Sequence, residues 1–326
     1  MFTTLHIMKK IILCLTVLMG FTMSAQLALV TENSKTGQRL TVSLAANHGD
    51  IGSNAVDLSF SDGASTTRGA TGTASTAMGY KTTASGNYST AIGDNSFATG
   101  SSSVSIGSYT TASGSRSTAM GDGTSAADYA SLTIGRYNSV NKTLTLGGNA
   151  TLFDTDNAAF VIGNGTLWNA TSDAFVVYFN GNATLAGDLT INSDARLKDN
   201  IQPLGSTLDK LHQIEAKTYS FKKDEEHTPK IGVLAQEVQA VFPELVTEGA
   251  DGTLSVNYQG LVPVLINAIN EQELKMSEQD AKIAALEAKN STLSEVNTRL
   301  AQLEELVKFY SLHASQSSTS LTLHRN

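Results

Sequence analysis

A single cysteine, Cys14, is all the thiol this 326-residue chain has. It sits inside an apolar run near the amino terminus, so a chain trimmed past that run has neither disulfides nor thiolate metal ligands. The six histidines, at 6, 48, 212, 227, 313 and 324, form no pair at helical or strand spacing, which leaves no imidazole cluster for a metal; no cofactor is expected. No Gly-rich loop ends in Lys-Ser/Thr ahead of a helix, so a phosphate cradle is absent too. Charge is also scarce where the chain is longest. Residues 26–192 carry 7 lysines and arginines against 11 acids, whereas the shorter span 193–326 carries 13 against 19. The net charge of −8 gives no electrostatic footprint for nucleic acid. The first part must therefore keep soluble through hydroxyls and amides, which fits its Ser/Thr/Gly/Asn-rich composition.

The amino terminus reads as an export signal. Lys9-Lys10 precede an apolar run from Ile11 to Met23, followed by the small residues Ser24-Ala25 and then Gln26. The run is too short to span a bilayer, and its flanks are those of a cleaved leader. Residues 1–25 are thus expected to be removed, leaving an extracellular, cell-surface or periplasmic protein. The chain ends in a polar tail, 311–326, and no self-contained membrane anchor is expected.

From about residue 74 the chain is periodic. Met78-Gly79, Ile92-Gly93, Ile106-Gly107, Met120-Gly121 and Ile134-Gly135 recur at a constant period of fourteen positions, with Ala84-x-Gly86, Ala98-x-Gly100 and Ala112-x-Gly114 between them. A fixed period means one structural unit per repeat. Such a unit holds two strands of about four residues and two tight turns, with glycine supplying turn conformations that other residues resist. Strand alternation sends Ala91 to one face and Ile92 to the other. In so thin a coil one face fills the interior and the other requires a partner chain. A disordered Ser/Gly linker is the competing reading, and the regular Ala-Met/Ile-Gly positions speak against it. These residues resemble the head repeats of YadA-type trimeric adhesins. That resemblance covers 72–150 and implies a left-handed parallel β-roll, three chains side by side. Residues 26–71 read as an irregular or β segment. From Leu144 to Leu189 the period decays, and 151–192 read as degenerate coils and short strands. Leu144–Gly147 and Phe160–Gly163 look like degenerate coils, and Phe175–Tyr178, Asn180-Gly181-Asn182 and Leu189–Ile191 like short strands around a hairpin turn.

Beyond residue 192 the signals are mixed α and β. Ser206-x-x-Asp209 reads as a capping box for a short helix, Lys217–Lys222 as a strand, and Lys230–Val241 as strand then helix stopped by Pro243. Asp251-Gly252 turns the chain between two further strands. From Leu261 a helix runs on, with Ile269, Met276, Ile283, Leu286, Leu293, Leu300, Leu303 and Val307 at heptad-like spacing and Asn290 and Asn297 in the seam. This predicts a coiled coil over 269–310, the asparagines fixing register and oligomer number. Val296 competes with Asn297 for the seam. Ser193-Asp-x-Arg-Leu-Lys198-x-Asn-Ile201, then Ile231–Val238, Phe242-Pro-Glu244 and Ser255–Tyr258, resemble the endosialidase-type intramolecular chaperone domain, over 193–268 and into the helix. The resemblance implies a trimeric chaperone for the upstream passenger that then releases itself by self-cleavage. It also implies that the scissile bond joins Asn192 to Ser193, with Ser193 the nucleophile and Lys198 its base.

The chemistry stands on its own terms. A hydroxyl tethered beside the carbonyl it attacks avoids the entropy of encounter. A lysine is a base only when neutral, so its pKa must fall from about 10.4 through burial or a neighbouring cation; Arg196 is one candidate for that cation. Residues five apart share a face on neither a helix nor a strand. Ser193 and Lys198 therefore meet only if the chain bends between them or if the lysine comes from another subunit. Without the resemblance, Ser-Asp is an ordinary turn and Arg/Lys a solvated face.

The expected protein is mostly β, a trimeric β-roll followed by a small α+β chaperone domain and a trimeric coiled coil. It is an exported homotrimeric fibre or adhesin whose single-turnover serine peptidase cuts only itself. The alternative is an uncleaved adhesin that keeps the carboxy-terminal domain as a structural foot. A hydrolase acting on a separate glycan lacks any paired-carboxylate constellation in the passenger, and an export signal argues against a spike assembled in the cytoplasm. Any host, matrix or cell-surface ligand of the repeats is not readable from these residues.

Overall fold

The chain divides into two compact units, Met1–Asn192 and Ser193–Asn326. The computed structural model describes residues 27–222 and 226–322, so the expected export signal lies outside the described residues. The first unit opens with an antiparallel hairpin, β1 (Leu27–Glu32) and β2 (Lys35–Leu40). After β2 the long strands add in parallel: β3 (Val56–Phe60), β5 (Thr76–Tyr80), β7 (Thr90–Asp94), β9 (Val104–Ser108), β11 (Thr118–Asp122), β13 (Leu132–Arg136) and β14 (Ala158–Asn164). Between them the two-residue strands β4 (Gly69–Ala70), β6 (Thr83–Ala84), β8 (Phe97–Ala98), β10 (Thr111–Ala112) and β12 (Ser125–Ala126) build a second parallel sheet. Register follows the sequence period: Ile92 pairs with Met78 on one side and Ile106 on the other. The unit is a β-solenoid.

The two strands of a coil are unequal, one long and one of only two residues, rather than two of similar length. The bends explain this. Left-handed backbone recurs at Tyr88, Ser102 and Arg116 (φ 56° to 60°), and again at Lys81, Asn95 and Tyr109 (φ 49° to 53°), which clips the short side at both ends. These turn positions are mostly not glycine. The repeated glycines serve another purpose: at Gly93 (φ +122°) an added Cβ would lie 2.0 Å from the carbonyl oxygen of Gly107. Glycine is needed there because neighbouring coil backbones touch.

Close stacking leaves a narrow interior. Ala77, Ala91 and Ala119 on the long strands face Ala70, Ala84, Ala98, Ala112 and Ala126 on the short ones, all with no solvent exposure. Ser105 takes an alanine place in β9, where its hydroxyl meets Thr110 Oγ1 at 2.7 Å, and Thr110 donates to Ser96 Oγ at 3.0 Å. On the outer face Met78 and Met120 are exposed, and Ile92, Ile106 and Ile134 half-buried. This leaves an apolar ladder only partly covered by the described residues.

Both ends of the solenoid are closed by side chains. Near the hairpin, buried Arg39 pairs with Glu32 at 2.7 Å and Asp57 at 3.2 Å, and His48 Nδ1 stands 3.1 Å from Asp57. Burial pushes the Asp57 carboxyl up, but hydrogen bonds from His48 and Ser59 outweigh it and hold the group below its usual range. At the far end Leu132 pairs with Phe160, two periods on rather than one. Leu144–Gly147, expected as a degenerate coil, forms no strand. Gly147 falls too soon after Gly135 to continue the glycine column. Amides replace the missing short strand: Ser125 N donates to Asn138 Oδ1 at 2.7 Å, Asn138 Nδ2 returns a bond to Ser125 O at 2.9 Å, and Ala127 N donates to Asn141 Oδ1 at 2.7 Å. Antiparallel β15 (Asp173–Tyr178) and β16 (Ala183–Leu185) finish the sheet. Leu189–Ile191, expected as a strand, is exposed and irregular.

The second unit contains α1 (Leu208–Leu211), the hairpin β17 (Lys217–Tyr219) with β18 (Lys230–Gly232), α2 (Ala235–Val241), the hairpin β19 (Val246–Glu248) with β20 (Leu254–Val256), and α3 (Leu261–Thr322). Val238, Phe242 and Val264 form its buried centre. Only the start of α3 packs on this unit, through Val264 and Ala268. Further on, Met276, Ile283, Leu286, Leu293 and Leu300 are all half or more exposed. The helix also continues past the expected limit at 310, as far as Thr322.

The backbone contact at the glycine column yields a paired test. Gly93→Ala is expected to destabilise the solenoid by on the order of 3 kcal/mol, from a strained positive φ plus overpacking. Gly63→Ala, where no atom lies within 4 Å of the added Cβ, should shift stability by less than about 0.5 kcal/mol. Equal thermal shifts for the two variants would refute the close-approach account.

Candidate functional site

Ser193 opens the second unit and Lys198 lies five positions on. Between them Ala195–Leu197 form one 3-10 turn, with Asp194 (φ −62°, ψ 132°) and Lys198 (φ −118°, ψ 147°) extended on either side. Asp194 starts the turn because a short carboxylate can satisfy an unpaired amide at a helical start: its Oδ1 accepts from Arg196 N at 2.9 Å. Leu197 N and Lys198 N close onto the carbonyls of Asp194 and Ala195, each at 3.1 Å. The bend brings Lys198 Nζ to 2.7 Å from Ser193 Oγ. A bend is one of the two routes that spacing alone left open, the other being a second subunit.

Arg196 is turned toward Asp194. Its Nε lies 3.1 Å from both carboxylate oxygens and Nη2 2.6 Å from Oδ2. The guanidinium and the Arg196 amide hold the Asp194 carboxyl below its usual range, and the carboxylate raises Arg196 in turn. Its charge is thus offset at close range, which weakens the reading of Arg196 as the cation acting on Lys198. Spacing carried no signal for this pairing.

Every residue from 180 to 206 is exposed in the single chain. Near this pair in sequence, Leu189, Ile191, Leu197 and Ile201 are 63% to 71% exposed. Asn192, on the other side of the expected scissile bond, is exposed as well. Among the described residues no three His, Cys, Asp or Glu side chains gather as metal ligands, and no helix is long and apolar enough to cross a membrane.

The segment that bends here, residues 193–247, matches the family model described as chaperone of endosialidase. Residues 70–96 and 98–124 match two copies of the YadA head domain repeat. The chain is also similar to phage tail-fibre proteins. Long tail fiber protein Gp37 of Escherichia phage AR1 is 34% identical over 121 residues, 33% of this chain and 11% of the phage protein. Gp37 of Salmonella phage S16 is 34% identical over 109 residues, 31% of this chain and 15% of that protein. Gp37 of Enterobacteria phage K3 is 33% identical over 144 residues, 40% and 12% respectively. Each match spans less than a sixth of the relative's length.

The chaperone segment is tied down from outside its matched span. α1 was expected to carry its own capping box, yet its N-cap, Thr207, makes no side-chain cap. Glu271 of α3 takes that place, accepting from Thr207 N at 2.8 Å, Leu208 N at 3.2 Å and Ser206 Oγ at 2.9 Å. Asn267 Nδ2 donates to the same carboxylate at 2.7 Å. The bond from Thr207 N leads the interactions that hold the Glu271 carboxyl below its usual range. A depressed carboxylate stabilises the folded state above its unfolded pKa, and the gain fades as pH falls through the folded value. Glu271→Gln should therefore flatten stability below about pH 4.5 relative to the unchanged chain. It should also speed amide exchange at Thr207 and Leu208 several-fold at neutral pH. Unchanged exchange at both amides would show that Glu271 does not hold α1.

Proposed function

We propose that this chain is an exported homotrimeric fibre protein whose chaperone segment drives assembly and then frees itself by cutting between Asn192 and Ser193. The carrying observation is the approach of Lys198 Nζ to Ser193 Oγ at 2.7 Å, in the first residues of the segment matched as chaperone of endosialidase. With the amine neutral, Nζ takes the hydroxyl proton and Oγ attacks the Asn192 carbonyl carbon. The C–O bond forms, the C–N bond breaks, and the proton passes to the departing α-amine of Ser193. Water then opens the Asn192 ester, leaving an Asn192 carboxylate and restoring the serine hydroxyl. Tethering makes the reaction first order in assembled chain.

Trimerisation supplies what one chain lacks. The Met/Ile ladder of the solenoid and the long seam of α3 both present apolar side chains without partners, and parallel side-by-side chains cover both. An amine in water stays protonated, and burial is the route to its neutral form. The exposed leucines and isoleucines around Ser193 are the surface that partner chains would cover, which makes the cut follow assembly. Lys9-Lys10 and the apolar run after them support export, and the fibre and adhesin relatives support a place outside the cell.

Two experiments test this reading. The purified chain should sediment as a trimer at micromolar concentration, and residues 26–192 expressed alone should trimerise poorly, since non-local parallel β pairing is slow without a nucleus. A monomeric full chain, or a passenger that trimerises efficiently by itself, refutes the assembly role. On denaturing gels the unchanged chain should split into fragments ending at Asn192 and starting at Ser193. Ser193→Ala, Lys198→Ala and Lys198→Arg should all form trimers and stay full length, because a guanidinium is never neutral at working pH. Cutting by the arginine variant at the normal rate would exclude Lys198 as base. An unchanged trimer that never cuts would instead favour the uncleaved adhesin with a structural foot.

A further inference from the structure

A lysine that must give up its proton cannot keep a carboxylate partner, because a nearby acid stabilises the ammonium. Two acids lie close to Lys198 in sequence, Asp194 and Asp199. Asp199 directs Oδ1 to Asn200 N at 2.8 Å. Asp194 is filled from one side by a single residue: Arg196 Nε reaches both oxygens, Nη2 takes Oδ2, and the Arg196 amide takes Oδ1. Among the described residues the ion pair of Asp194 is with Arg196, and Lys198 contacts Ser193 instead.

The geometry points to Arg196 as a positioning residue for self-cleavage, one that occupies the Asp194 carboxylate so that this acid does not pair with Lys198. The inference rests on the reading of Ser193 as nucleophile and Lys198 as base. Arg196 touches no reacting atom and acts through Asp194. A guanidinium suits the task because its planar fork matches a carboxylate, and it holds its proton at any pH where the lysine would lose one. Asp194 is kept in the turn because its Oδ1 also sets the bend that brings Lys198 back to Ser193. One acid thus serves the turn, and one base silences its charge.

The test uses the full chain, refolded between about pH 6.5 and 10, where a lysine with a lowered pKa gains its neutral form. Trimer is measured by sedimentation and cutting by denaturing gel, with rates normalised to trimer. Arg196→Ala frees Asp194 to pair with Lys198, so cleavage near neutral pH should slow by roughly tenfold and the half-maximal rate should move to higher pH by about one unit. Asp194→Asn keeps an acceptor for the turn but removes the charge, so the double variant Asp194→Asn/Arg196→Ala should recover to within about threefold of the unchanged chain. A purely structural role for Arg196 predicts no such rescue. Arg196→Ala with an unaltered pH profile, or a double variant as slow as the single one, overturns the inference while leaving self-cleavage intact. An unchanged trimer that does not cut at any pH overturns the self-cleavage reading itself.

Discussion

Neighbouring coils of the solenoid touch backbone to backbone at a column of glycines, and most of the first unit follows from that contact. At Gly79, Gly93, Gly107 and Gly121 an added Cβ would stand 2.0 to 2.1 Å from the carbonyl oxygen of the next coil. Strands held this close, in the strict register of the repeat, stack identical positions over one another. The interior column is then alanine, serine and threonine, because the two sheets of so short a coil leave no room for longer side chains. Such a core buries little apolar surface per residue. The larger apolar side chains, methionine and isoleucine, fall on the outer face by strand alternation. A solenoid with small residues inside and large ones outside keeps its larger apolar side chains at the surface, which is why the trimer enters the functional reading.

The same economy shapes the ends. A stack of parallel strands exposes unpaired amides and carbonyls wherever it stops. The hairpin end uses an ion network in which Arg39 bridges Glu32 and Asp57. Such a buried cluster is stable only because each charge has a partner within hydrogen-bonding reach. The other end uses side-chain amides: Asn138 accepts from and donates to the backbone of Ser125, as a next strand would. Residues 139–157 loop out, and the parallel register resumes at β14.

At the start of the second unit a few short-range bonds set the geometry. A single 3-10 turn converts an i, i+5 separation, unfavourable on any regular element, into direct contact between a hydroxyl and an amine. The turn is local and the contact forms within one chain, but its surroundings are open to water. Leu197 and Ile201, close by in sequence, are exposed as well. The long helix behaves likewise. Its first turns are fixed by Val264, Ala268 and Glu271, and further on Met276, Ile283, Leu286, Leu293 and Leu300 are exposed.

Much of this was legible in the residues. The Met/Ile-Gly column at its fixed interval determined the strand register, the inward alanines and the outward apolar ladder, since a repeated pattern imposes the same local conformation and neighbours at each turn. The heptad seam determined a long helix, and Ser193 and Lys198 were marked by the motif around them. Tertiary structure decided the rest. The looping out of Leu144–Gly147, the Arg39–Asp57–His48 cap, the capture of Asp194 by Arg196 and the capping of α1 by Glu271 leave no periodic trace. Each depends on local contacts particular to one place rather than on a repeat, and the capping of α1 by Glu271 joins residues far apart in the chain. Periodicity reports what every unit does alike. A hydrogen bond between Glu271 and Thr207, 64 residues apart, exists only once the intervening chain has folded to bring them together.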